Sequence, residues 1–234
     1  MATKENIIFA LDADSIAKTT PYIEALSPYV GMFKVGLELL TAQGAPAVVQ
    51  HIHRLGGHVF FDGKFDDIPN TVGSASRVVA NMGVKMFNVH ASCGIDSIKA
   101  AADNKKSSLL LVVTVLTSIS DAESERIFGA MTQSKVVQFA HDAKAAGADG
   151  IICSPQELEL ISQVPELKDL LKVTPGIRPE WSEANDQKRT LTPAQAMTLG
   201  ATHLVIGRPI SNPPRGIGSP VDAVKKILEE IVNC

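Results

Sequence analysis

Phe60-Phe61-Asp62-Gly63-Lys64-Phe65-Asp66-Asp67-Ile68-Pro69-Asn70-Thr71 ends an apolar run in a cluster of carboxylates around one ammonium. A strand over 58–64 alternates its side chains between two faces, so Asp62 and Lys64 share one of them. Asp67 follows in the turn that leaves the strand. An Asp-Lys-Asp constellation is therefore expected at a strand's C-terminal end. An ammonium among carboxylates is held in its charged form, which suits Lys64 to donate a proton or to hold an anion. Imine-forming lysines need the opposite surroundings, a desolvated pocket or a neighbouring cation. The plain alternative is a surface ion pair, which contributes little.

Outward from this stretch, short apolar runs recur about eight times at roughly thirty-residue spacing. They cover 7–11, 31–35, 58–61, 84–89, 109–116, 150–153, 170–173 and 203–206. Segments such as 45–55, 72–82, 134–146 and 194–199 lie between them, with apolar residues at helical spacing and glycine near their ends. Alternating strands and helices in this number predict a (β/α)₈ barrel. A doubly wound open sheet is the competing topology, but the first strand is not followed by a Gly-x-Gly-x-x-Gly turn.

The 234 residues are 45% hydrophobic and 20% charged, with a formal net charge of −3. That composition fits one catalytic barrel domain over 1–234, without linker or low-complexity tract. The mild negative charge argues against a nucleic-acid-coating surface. The first strand begins almost at once, without an apolar signal segment, and no run reaches membrane-spanning length, so a cytoplasmic protein without a membrane partner is expected. Cys93, Cys153 and Cys234 are widely spaced and suggest neither disulfides nor a zinc site. His51 and His53, two apart on a helix, do not share a face, and His58, His141 and His203 have no ligand-like spacing. His90 reads as a structural histidine at a strand end. Mg²⁺ on the clustered aspartates stays open.

In such a barrel the loops after the strands build the active-site face. Asp12 closes the first run, Lys34 lies in the second, and Asp62 and Lys64 end the third. Asn88 and His90 end the fourth, Thr117 and Ser118 follow the fifth, Arg178 follows the seventh, and Gly207 and Arg208 follow the eighth. Charges at the ends of apolar strands are costly to bury without partners, so these residues are expected to share one site. Ile206-Gly207-Arg208-Pro209 carries an anion-binding signal: a glycine for close backbone approach, a guanidinium fork, and a proline suited to a first helical turn. The polar segment 176–190, with Arg178, Asp186, Gln187 and Arg189, reads as a loop able to close over a phosphate. Trp181, the single tryptophan, either pins that loop or covers the core.

These motifs together resemble the orotidine 5′-phosphate decarboxylase family across nearly the whole chain. The resemblance rests on Ala10-Leu11-Asp12, Phe33-Lys34-Val35-Gly36, the block from Asp62 to Thr71, Val173-Thr174-Pro175-Gly176-Ile177-Arg178-Pro179, Asp186-Gln187 and Val205-Ile206-Gly207-Arg208-Pro209. It departs at Gly63, where a bulkier residue is usual, and at Asp66, where the bacterial pattern often has His. The resemblance implies decarboxylation of orotidine 5′-monophosphate to UMP and CO₂ without metal or cofactor. It implies that Lys34, Asp62, Lys64 and Asp67 form an alternating charge array in which Lys64 protonates C6 of the pyrimidine. By the same resemblance, Asp12 and Lys34 hold ribose hydroxyls, and Thr117 and Ser118 meet the pyrimidine. Arg178, Gln187, Gly207 and Arg208 take the 5′-phosphate, and a homodimer places Asp67 and Thr71 in the partner's site. Two rivals differ in class: a Mg²⁺-dependent sugar-phosphate decarboxylase or synthase, and a non-catalytic binder of phosphate ligands.

Overall fold

Strand side chains alternate between two faces, and here both faces are buried, one in a barrel lumen and the other beneath helices. The structure, a computed structural model, describes residues 2–182 and 190–234. Its strands are β1 (Ile7–Leu11), β2 (Met32–Val35), β3 (Val59–Phe65), β4 (Met86–His90), β5 (Leu109–Val113), β6 (Gly150–Ile152), β7 (Leu171–Thr174) and β8 (His203–Ile206). They pair in parallel in sequence order, and β8 returns to β1 with Ile7 opposite Leu204, closing the barrel. The expected (β/α)₈ architecture is the observed one.

Between the strands run α1 (Ile16–Leu26), α2 (Leu37–Gln43), α3 (Ala45–Arg54), α4 (Pro69–Asn81), α5 (Ile95–Asn104), α6 (Asp121–Phe128) and α7 (Thr132–Ala145). α8 (Leu158–Ser162), α9 (Pro193–Thr198), α10 (Arg208–Ser211) and α11 (Pro220–Val232) complete the set. Their starts are written locally. Ser120, Thr192 and Ser219 each accept a hydrogen bond from the backbone N–H three residues on, and the side chain at that position returns the contact. Proline opens α9 and α11, where its missing N–H costs nothing. No helix of the described residues is long and apolar enough to cross a membrane.

The lumen is filled by Ile8, Met32, Phe60, Met86, Leu111 and Val173, all buried together. The neighbouring strand positions, among them Phe9, Phe33, Phe61, Phe87 and Val112, face the helices and form the larger cluster. That double burial is why the strands read as continuous apolar runs rather than as an alternation. One step beyond the lumen layer, the same faces carry Asp12, Lys34, Asp62 and Asn88. The barrel thus turns strand parity into a ring of polar side chains.

β3 departs from ideal pairing. It opposes β4 with Phe61 against Phe87 but Phe65 against Val89, four steps on one strand (65 − 61) against two on the other (89 − 87). This bulge extends β3 past the expected end and holds Lys64 at φ +50°, a left-handed conformation that a side-chain-bearing residue adopts at a cost.

At the opposite end of the barrel, His203 opens β8 with Nδ1 3.0 Å from Thr202 Oγ1. Burial lowers its pKa, the Lys85 charge adds to that, and Glu5 opposes it, leaving the imidazole pushed down to about 4. An unfolded chain protonates histidine near about 6.5. The stability gained by keeping His203 neutral is therefore fully present above that pH and is lost as pH falls towards 4. His203→Gln is expected to flatten the loss of unfolding free energy between about pH 6.5 and 4, by up to about one proton's uptake. Denaturant titrations across this window check it, and identical slopes would contradict it.

Candidate active site

At the C-terminal mouth of the barrel one carboxylate organises its neighbours. Asp62, on the lumen face of β3, is 7% exposed. Lys64 Nζ lies 2.6 Å from its Oδ1, and Lys34 Nζ, from β2, lies 3.4 Å from its Oδ2. Asn88 Nδ2, from β4, donates to Oδ1 at 2.7 Å. Lys34 also reaches Asp12 Oδ1, at the end of β1, at 3.3 Å. Asp12, Lys34, Asp62 and Asn88 come from four adjacent strands by parity and barrel order, and Lys64 joins them from β3 through the bulge.

The electrostatics are settled by competition. Burial works to raise the Asp62 carboxyl, but Lys34, Lys64 and the Asn88 amide outweigh it and hold the group below the ordinary carboxylate range. Asp62 is thus a buried anion at neutral pH. On the same rim, burial lowers His90, with Asp66 and Asp62 pulling upward and Lys64 pulling down.

Lys34, Asp62 and Lys64 border a cavity of about 190 Å³ whose apolar walls include Phe60, Ile152 and Val205. Thr117 lines it, whereas Ser118, one residue on, is exposed. Cys153 also borders it; burial raises its thiol, which makes it a neutral, small wall residue. A flat ring with one charged edge fits a cavity of this kind, apolar around and ionic at one end.

Arg208 borders two further clefts. One, of about 160 Å³, also contains Asp12, Tyr22 and Gly207, and so runs beside the Asp62 array. The other, of about 330 Å³, contains Ser182, Asn212 and Arg215. A Cβ on Gly207 would come into ordinary van der Waals contact with Ala10 Cβ at 3.4 Å and Asp12 Oδ2 at 3.5 Å, which places this backbone against the Asp12 end of the array. Arg178 is buried after β7; its Nη1 donates to Ile177 O at 2.8 Å, and its backbone N–H donates to Leu191 O at 2.9 Å. Trp181 packs against the core beside it. Asp186, Gln187 and Arg189 lie outside the described residues.

Asp67 and Thr71 are not in this array. Asp67 Oδ1 accepts from Ile68 N–H at 2.7 Å, and its side chain borders an open cleft of about 570 Å³ with Asp66, Pro69 and Ser97. Thr71 is exposed on the first turn of α4. The large apolar side chain of Ile68 between them is 66% exposed. Among the described residues no three His, Cys, Asp or Glu side chains converge in a way that would hold a metal ion.

A (β/α)₈ barrel with two lysines around a buried aspartate at its C-terminal mouth has the layout of an enzyme that handles anionic substrates. Residues 5–227 match the model of the orotidine 5′-phosphate decarboxylase / HUMPS family. An orotidine 5′-phosphate decarboxylase from Syntrophomonas wolfei is 44% identical over 245 residues, covering 99% of both chains. One from Geobacter sp. (strain M21) is 45% identical, covering 97% of this chain and 96% of its own. The crystal structure of the Lactobacillus acidophilus orotidine 5′-phosphate decarboxylase superposes with a TM-score of 0.82 at 33% identity, over 96% of this chain and 98% of that one. This chain belongs to the orotidine 5′-phosphate decarboxylase / HUMPS family.

Gly63, the small residue between Asp62 and Lys64, has a local reason. A Cβ there would lie 2.4 Å from Phe61 Cε1, because the Phe61 ring fills the space a larger residue would take. That ring packs against Phe65 with centroids 5.9 Å apart. Gly63→Ala is therefore expected to destabilise by about 1–3 kcal/mol through overpacking. Pairing it with Phe61→Leu should recover much of the loss. Thermal unfolding of the single and double variants checks this, and additive losses would contradict it.

Proposed function

We propose that this protein decarboxylates orotidine 5′-monophosphate to UMP and CO₂, the last step of de novo UMP synthesis, with no metal or cofactor. Family membership supports the substrate class. The observation that carries the reading is the ionised Asp62 held between the Lys34 and Lys64 ammoniums at the edge of an apolar cavity.

The chemistry follows from those charges. A substrate carboxylate seated beside Asp62 meets a like charge, which at about 4 Å and an effective dielectric of about 20 costs on the order of 4 kcal/mol. Breaking the C6–carboxylate bond releases neutral CO₂ and relieves that repulsion, while the electron pair stays on C6. Lys64 then faces a developing carbanion instead of a remote neutral ring carbon. Its attraction is stronger in the transition state than in the ground state, which is the condition for catalysis. Transfer of a proton from Nζ to C6 yields UMP, and solvent returns the proton to the amine.

Holding a repelled carboxylate in place needs binding energy from elsewhere. Arg178, Gly207, Arg208 and Gln187 take the 5′-phosphate in this reading, Asp12 and Lys34 the ribose hydroxyls, and Thr117 and Ser118 the pyrimidine. The position of Asp12, in both the ion-pair array and the Arg208 cleft, supports a ribose between the two ends. Asp67 and Thr71 act from a partner subunit in a homodimer. Their exposure beside Ile68, away from Lys64 of their own chain, supports that assignment.

Orotidine 5′-monophosphate turnover followed by ultraviolet absorbance in the presence of EDTA tests the proposal. Wild type is expected to convert the substrate, and Lys64→Ala to lose about 10³-fold or more in kcat while remaining folded. No conversion without added Mg²⁺ would transfer support to a metal-dependent sugar-phosphate chemistry. Arg208→Ala is expected to lower kcat/KM by roughly 10- to 100-fold although Arg208 touches no reacting atom, and unchanged kinetics would refute its role.

A further inference from the structure

We infer that Asn88 is a positioning residue for this reaction, one buried amide that fixes both the Asp62 carboxylate and the backbone of Lys64. The inference rests on the decarboxylase reading and adds to it a residue on β4 that touches no reacting atom.

Asn88 is fully buried. Its Oδ1 accepts from the Lys64 backbone N–H at 2.8 Å, and its Nδ2 donates to Asp62 Oδ1 at 2.7 Å. The orientation of the amide is dictated by its partners. A backbone N–H can only donate, so the amide oxygen must face Lys64, which leaves the nitrogen for the carboxylate, a group that can only accept when ionised. Asn88 therefore recognises the ionised form of Asp62 and discriminates against the protonated one.

The second contact falls where the strand is strained. Lys64 sits at φ +50° inside the β3 bulge, where its N–H is out of register with the regular β4 ladder. Without Oδ1, that N–H loses the partner that pins the bulge, and a residue in this conformation persists only when its surroundings overdetermine it. The bulge turns the Lys64 stem so that Nζ meets Asp62 across the intervening Gly63. One side chain on β4 thus sets both ends of the Lys64–Asp62 pair: the carboxylate directly, and the ammonium through the backbone that carries it.

Asp62 is faced by Lys34 from β2, Lys64 from its own strand and Asn88 from β4. His90 of β4 feels the charges of Asp62, Lys64 and Asp66, and Asp12 stands on the far side of Lys34. Removing the Asn88 donor takes away one of the contacts that favour the Asp62 anion, while burial, which opposes it, persists. The acidic limb of the kcat/KM profile should then move to higher pH. A merely structural asparagine would lower the folded fraction and leave that limb in place.

Asn88→Ala and Asn88→Asp make the test. Asn88→Ala removes both contacts. Asn88→Asp is nearly isosteric, keeps an acceptor for the Lys64 N–H, and places a second carboxylate against Asp62, so it carries the test if the alanine variant does not fold. Both are expected to lose about 10- to 100-fold in kcat with KM for orotidine 5′-monophosphate within about threefold, and to shift the acidic limb upward. A titration of the Asp62 carboxyl by carbon-13 NMR in ligand-free protein, assigned by its disappearance in Asp62→Asn, should show the same upward shift. Wild type without turnover would sink the decarboxylase reading and leave the NMR titration to judge Asn88 alone. An Asp62 midpoint unmoved in the folded variants, or kcat within twofold of wild type with an unmoved acidic limb, would overturn the inference.

Discussion

The carboxylate of Asp62, buried between two ammoniums, is the constraint on which the mouth of this barrel depends. Alone, a carboxylate in that position would be neutralised rather than kept charged, since the desolvation of an isolated ion costs several kcal/mol. Lys34 and Lys64, with the Asn88 amide, offset that penalty, and Asp62 in turn lets two like charges approach one point from neighbouring strands. Each member is tolerated only because the others are present. Such a mutually dependent array is preorganised: its charges are in place before substrate arrives, so none has to be reoriented as charge develops during reaction.

The barrel supplies this arrangement through strand parity. Ala10, Met32, Phe60 and Met86 fill the lumen, and the residues two steps on, Asp12, Lys34, Asp62 and Asn88, project into the same space at its mouth. The apolar layer beneath them excludes water from one side and lowers the local dielectric, which strengthens the attraction that holds the array together. Fold stability and site chemistry are therefore joined at this boundary, one residue pair deep along each strand.

Much of this was legible in the sequence because it is local or periodic. Eight apolar runs with helical segments between them lead to the barrel, and charges at the ends of those runs lead to the rim. The Asp62–Lys64 contact follows from two-residue alternation, although the route is less regular than alternation assumes: a bulge and a left-handed Lys64 lie between the expectation and the contact. What sequence reading did not supply depends on three-dimensional neighbours. Asn88 was visible as a polar residue ending a strand, but its hold on Asp62 and Lys64 depends on β3–β4 register. The absence of a side chain at Gly63 became intelligible only with the Phe61 ring lying over it. Asp67, close in sequence to the array, turns away from it because the chain has left β3 at Phe65 and is turning towards α4, which begins at Pro69.

The central claim, that an ionised Asp62 opposes the substrate's carboxylate while the rest of the site holds it, is tested most directly by equilibrium and single-turnover binding to Asp62→Asn. Neutralising this one residue removes the repulsion and frees two ammoniums. The account predicts that orotidine 5′-monophosphate then binds more tightly, that UMP, which lacks the carboxylate, binds about as before, and that kcat falls. Substrate and product affinities that weaken together would contradict it, because Asp62 would then be an ordinary binding residue and not the charge the departing CO₂ escapes.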